Sequence, residues 1–137
     1  MTTQENCTTS FINLDLELLS PFDLSPIKDY WGTSVFPLTC DFFERNFYLC
    51  VEPVFNENES CTVYHCTEIM LNVLEQLPTE HKILLDSCTS CVFDYGFDIG
   101  ANDSPPFQVE LTPIQLTRIA ALNITVRVTI YSYSHDD

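Results

Sequence analysis

The chain has 137 residues, 45% hydrophobic and 12% aromatic, with 20 acidic against 5 basic residues and a net charge of −15. This length suits one domain with its own core, and the apolar content excludes a disordered acidic tail. Five scattered basic residues exclude direct nucleic-acid binding, and no run approaches the roughly 20 apolar residues of a membrane span.

The start, Met1-Thr2-Thr3-Gln4-Glu5-Asn6, has no cationic residue and no long apolar run. It does not read as a secretory signal, so a cytoplasmic protein is expected. From Phe11 to Leu19, Ile12, Leu14, Leu16 and Leu18 alternate with Asn13, Asp15 and Glu17. That period of two predicts a strand with one buried face. Ser25-Pro26-Ile27-Lys28 then reads as a Ser-capped helix start, stopping at Gly32. The stretch from Phe36 to Arg45 is read as a loop.

A second strand is predicted near Phe47 to Val54, with Phe47, Leu49 and Val51 inward and Tyr48, Cys50 and Glu52 outward. Pro53 argues that its end lies on a sheet edge. Val63, Cys66, Met70, Val73 or Leu74, and Leu77 recur at helical spacing, predicting a helix over about 62–77 that Pro78 follows. Ile83 to Leu85 reads as a short helical turn. A third strand, Cys91 to Ile99, turns Cys91, Phe93, Tyr95, Phe97 and Ile99 inward and Val92, Asp94, Gly96 and Asp98 outward.

Thr112-Pro113-Ile114-Gln115 has Thr at the cap, Pro at the first helical position and Gln at the third, with Asn123 as a stop. The last strand, Ile124 to Tyr133, is expected to bury Ile124, Val126, Val128 and Ile130 and to expose Thr125, Arg127, Thr129 and Tyr131. The stretches Pro21 to Ile27 and Pro106 to Ile114 resemble each other, each leading from a strand through Pro-Phe to a capped helix with Pro-Ile. The expectation is a single domain, residues 1–137. Two β-α-β-like halves, about 8–55 and 91–134, flank a helical insertion at about 60–88. This gives an α+β, ferredoxin-like antiparallel four-stranded sheet with helices packed on one face.

In such an order the first and third strands are central neighbours, and Asp15, Glu17, Asp94 and Asp98 share the open face. Like charges across strands destabilise a sheet, so a cationic ligand would relieve the patch. The plainer alternative is a solvated face. Glu68, Glu75, Glu80 and Asp86 offer a competing acidic surface on the helices.

Seven cysteines, an odd number without an export signal, read mostly as reduced core thiols. Cys61, His65, Cys88 and Cys91 are weak zinc candidates, set against the apolar, inward placement of Cys66 and Cys91 and the lack of a second C-x-x-C. No metal or other cofactor is expected. His65, His81 and His135 are isolated, and no nucleophile elbow, zinc-protease motif or Gly-rich phosphate loop is present. The chain therefore does not read as an enzyme.

Phe11-Ile12-Asn13-Leu14-Asp15-Leu16, then Phe22-Asp23-Leu24-Ser25-Pro26-Ile27 and Gly32, resembles the start of the bacterial family called domain of unknown function 4279. Phe97-Asp98-Ile99-Gly100, Leu116-x-x-Ile119-x-x-Leu122 and Val128-Thr129-Ile130-Tyr131 resemble its second half; the cysteines and the stretch from Phe36 to Arg45 depart from it. The resemblance implies a small cytoplasmic protein, some members of the family looking like immunity partners in polymorphic toxin and contact-dependent growth inhibition loci. It brings no catalytic residues. The function expected is thus an immunity protein that neutralises a cognate toxin domain, a basic partner such as a nuclease. Asp15, Glu17, Tyr48, Glu52, Asp94, Asp98 and Tyr131 are its candidate contacts. The alternative is a small-ligand or metal-sensing regulatory domain.

Overall fold

The computed structural model describes residues 8–132. A five-stranded mixed sheet carries four helices. The strands are β1 (Ser10–Ser20), β2 (Val35–Phe43), β3 (Asn46–Pro53), β4 (Ser90–Asp98) and β5 (Thr125–Tyr131). The helices are α1 (Ser25–Trp31), α2 (Val63–Glu75), α3 (Thr79–Asp86) and α4 (Pro113–Ala121). Strand order is β2-β3-β1-β4-β5, antiparallel except for the parallel pair β4-β5.

The α+β class and the central pairing of the first and third predicted strands agree with the sequence. The four-stranded antiparallel plan does not. The last strand lies beside β4 and parallel to it, because the stretch containing α4 carries the chain back along the sheet before β5 begins. An unexpected strand, β2, fills the stretch read as a loop and covers the outer side of β3, so Pro53 ends an interior strand opposite Val35. The β2–β3 turn is Glu44-Arg45, with both residues at positive φ (51° and 68°). That is the twist a two-residue hairpin requires, built here without the Asn-Gly pair that normally announces it.

Leu14, Leu16 and Leu18 of β1, Leu49 and Val51 of β3 and Phe93 of β4 are fully buried against Ile27, Met70, Leu71 and Leu74 of the helices. Each such side chain contributes about 1.5–3 kcal/mol on leaving water. Trp31 joins this core and donates its indole N–H to the Val73 carbonyl (3.0 Å), tying α1 to α2. Thr112 caps α4 as expected: its hydroxyl accepts from the Gln115 N–H (3.1 Å), and the Gln115 side chain accepts from the Thr112 N–H (3.4 Å). Asn123 follows at φ 58°, the left-handed residue that ends the helix.

Ser25 does not cap α1. It is the first helical residue, and its hydroxyl donates to Asp23 instead (2.7 Å). The turn expected at Ile83 to Leu85 is the eight-residue α3. Val126, Val128 and Ile130, expected in the core, are 40%, 58% and 61% exposed, because β5 is an edge strand and the short α4 does not cover it. Cys50 and Cys66 are buried and Cys88 and Cys91 half-buried, whereas Cys40 and Cys61 are exposed; all six are free thiols. Cys7, Tyr133 and His135 lie outside the described residues.

Candidate functional site

Alternation along β1 puts Leu14, Leu16 and Leu18 in the core and turns Asp15 and Glu17 to the opposite face, the one without helices. On β4 the same alternation turns Asp94 outward, and the register sets it directly opposite Asp15. On the other side of β1, Leu16 pairs with Val51, which carries Asp15 on to Glu52. Asp15 thus lies between two carboxylates, with Glu17 two residues away on its own strand.

Burial, and then Glu52, Asp94 and Glu17 in that order, push the Asp15 carboxyl up from 3.8 to about 6. Burial, then Asp15 and Glu17, raise the neighbouring Cys50 thiol to about 12. Tyr48 is raised to about 12 by burial and then by Glu17.

One arginine partly offsets this field. Arg127 of β5 donates through Nη1 to Glu17 Oε1 (2.8 Å) and to Asp94 Oδ2 (3.4 Å), while Thr129 donates to Asp94 Oδ1 (2.7 Å). The Asn13 amide donates to Glu52 (2.6 Å). Asp94, Glu17 and Glu52 therefore have donors. Among the described residues the ion pairs of Arg127 reach Glu17 and Asp94, not Asp15.

A niche of about 50 Å³ opens beside Asp15, lined by Ile12, Asn13, Asp94, Gly96 and Tyr131. Its floor is the backbone at Gly96, the strand glycine over which Tyr131 lies: a Cβ there would meet the Tyr131 ring at 3.6 Å. The niche is open to solvent and large enough to admit an ammonium-sized group. Two carboxylates and an aromatic wall are the surroundings that hold a lysine ammonium.

The structure brings Asp15, Glu17, Glu52 and Asp94 into one cluster, with Tyr131 at its border. Asp98 shares the face but lies four residues along β4 from Asp94, the partner of Asp15, about 14 Å away. Tyr48 pairs with Leu19 at the opposite end, where a second cavity of about 440 Å³ is lined by Leu19, Thr39, Asp41, Phe43 and Tyr48. Sequence reasoning missed Phe43 and Asp41, which belong to the unexpected β2. It also missed Asn13 and Thr129, whose side chains hydrogen-bond the acids.

The competing helical acids sit differently. Arg118 of α4 makes a two-pronged pair with Glu75 (Nε to Oε2 2.9 Å, Nη2 to Oε1 2.8 Å) and donates through Nη1 to Glu68 (3.0 Å). The fully buried Gln115 donates to Glu68 as well (2.9 Å).

The four zinc candidates are split. Cys61 donates to the Ile12 carbonyl near one end of β1, and His65 bonds Glu59 (3.0 Å). Cys91 pairs with Leu18 near the other end, about 20 Å along the strand. Cys61 instead lies 3.9 Å, sulfur to sulfur, from Cys66; these residues flank the Thr62 cap, one before it and one at the fourth helical position, where a staple packs. A hydrogen bond from Cys88 holds the Cys91 thiol below its ordinary range. Among the described residues no group of three or more His, Cys, Asp or Glu is arranged to hold a metal ion, and no helix is long and apolar enough to cross a membrane.

No family model, no curated protein and no solved structure matches this chain.

Proposed function

We propose that the chain is an immunity protein that binds and neutralises a cognate toxin domain through the open acidic sheet face. The observation that carries this reading is the niche at Asp15: a carboxylate flanked by carboxylates, raised to about 6, beside a Tyr131 wall and out of reach of the local arginine. Such a site is destabilised while empty and stabilised by a cation. A lysine of the partner fits the niche, and the surrounding field steers a cationic surface onto it. A nuclease domain has the required charge, since its substrate groove must be basic. The aromatic residues at the two ends of the face, Tyr131 and Tyr48 with Phe43, supply apolar anchors.

No family model matches the chain, so the reading rests on the acidic face alone. Of the alternative, a small-ligand or metal-sensing regulatory domain, the metal-sensing form has the separation of Cys61 and His65 from Cys88 and Cys91 against it. The test is affinity purification from the native host with the retained protein identified by mass spectrometry. A stoichiometric basic toxin fragment, released by high salt, is the expected result. Retention that is unchanged when Asp15, Glu17, Glu52 and Asp94 are neutralised together would overturn the reading.

A further inference from the structure

The crossover that closes the fold differs in composition from the rest of the chain. From Leu111 to Tyr131 there is no Asp or Glu, while Arg118 and Arg127 are two of the five basic residues. The same stretch presents apolar side chains outward: Val126, Val128 and Ile130 on β5, and Ile114 and Leu116 on α4. A cavity of about 280 Å³ continues this surface between Val126, Val128, Leu116 and Val109, with Glu110 as its one acidic lining residue.

The two edges of the sheet are also unlike. β2 carries Pro37, a register break between Pro37 and Thr39, and Asp41. Those are the devices by which proteins prevent edge-to-edge pairing. β5 has no proline and no register break, and its one charge, Arg127, is paired with Glu17 and Asp94 on the sheet face. It runs in unbroken register with β4 from Thr125 to Tyr131.

Its free hydrogen-bonding groups can be assigned. The Tyr131 carbonyl accepts from the Ile99 N–H (3.0 Å) and so points toward the β4 side. Backbone groups alternate along a strand, so those of Val126, Val128 and Ile130 point away from the sheet.

We infer that β5 is a self-association edge on which a second copy of this chain docks its own β5, antiparallel, about a two-fold axis at Val128. The occupant is fixed by charge. Two chains of net −15 repel, and β5 itself carries no Asp or Glu to set against its copy. A cationic partner is drawn instead to the sheet face. The register is self-complementary: Val128 faces Val128 of the second copy, and Val126 faces Ile130. Arg127 falls opposite Thr129, so no like charges meet across the junction. About six backbone hydrogen bonds join the two sheets into one of ten strands. The acidic faces of the two copies then lie on the same side of that sheet.

The test is sedimentation equilibrium of the full chain from about 1 to about 100 μM, with Val128→Lys and Val128→Glu. Val128 is more than half exposed, so both variants should keep the wild-type circular dichroism and melting temperature. The wild type is expected to dimerise and to tighten with added salt, which screens the net repulsion. Each variant alone should weaken association at least tenfold, and their equimolar mixture should restore it, because opposite charges then face each other at the axis. A wild type monomeric over the whole range overturns the inference. So does a dimer indifferent to both substitutions, or one that the mixture fails to restore. A monomer that takes an unrelated peptide strand on β5 would overturn the choice of occupant.

Discussion

Arg118 and Arg127 each stand between two carboxylates, yet one array is closed and the other open. On the helices, Arg118 meets Glu75 in a two-pronged pair and Glu68 through its remaining nitrogen, with Gln115 completing Glu68 from the buried side. The Arg118 hydrogen bond holds the Glu75 carboxyl below its ordinary range. On the sheet, Arg127 reaches Glu17 and Asp94 from an edge strand, and Asp15 is pushed up to about 6. The helical array fastens α4 to α2; the sheet array keeps an unrelieved negative charge at the surface. Acidic residues alone do not distinguish a structural array from a binding one. The donors around them do.

The comparison breaks most visibly at Arg118. Arg118→Ala leaves Glu68 and Glu75 facing each other and should lower stability by about 2 kcal/mol, seen as a melting temperature lower by roughly 6–8 °C at neutral pH. Arg127→Ala acts at a half-exposed site and should cost under about 1 kcal/mol. It should also deepen the negative field and tighten a cationic partner. A fall in partner affinity on Arg127→Ala, followed by titration calorimetry, would make the arginine part of the contact and reverse this assignment.

Asp15→Asn sharpens the contrast further, because its effect should be stabilising. The folded carboxyl holds its proton up to about 6, whereas the unfolded one releases it near 3.8. Between those values the folded state binds more protons, so the stability associated with Asp15 falls as pH rises from about 4 through about 6. Asn removes that loss. With allowance for solvent screening of this half-exposed group, Asp15→Asn should add about 1 kcal/mol above pH 6 and nothing near pH 4. Thermal melts of both chains across this range would show it; an equal shift at both ends would mean that the cause is not ionisation. Protonation of Asp15 should likewise weaken partner binding as pH drops below about 6. The smallest expected effect is that of Tyr131→Leu, which keeps apolar cover over Gly96 and should cost a few-fold in partner affinity with little change in melting temperature.

Much of this geometry was legible in the sequence because alternation fixes which side of a strand a residue occupies. Leu14, Leu16 and Leu18 against Asp15 and Glu17 gave one face, and Phe93, Tyr95 and Phe97 against Asp94 gave its neighbour. Alternation carries no information on strand order, so the parallel placement of β5 beside β4 was missed, and with it the exposure of Val126, Val128 and Ile130. β2 was hidden by Pro37 and by a Glu44-Arg45 turn whose left-handed residues are not the usual ones. The bond between Arg127 and Glu17 spans 110 positions, and no local pattern announces it.

The most direct measurement is the affinity of the protein retained by affinity purification, proposed to be a basic toxin fragment, for the wild type and for the chain carrying Asp15→Asn, Glu17→Gln, Glu52→Gln and Asp94→Asn, at low and high salt. The account predicts a loss of at least about 100-fold at low salt, a flatter salt dependence in the variant, and a melting temperature at neutral pH no lower than that of the wild type. Equal affinities and equal salt slopes, with the fold intact, would contradict it and move the binding site off the sheet face.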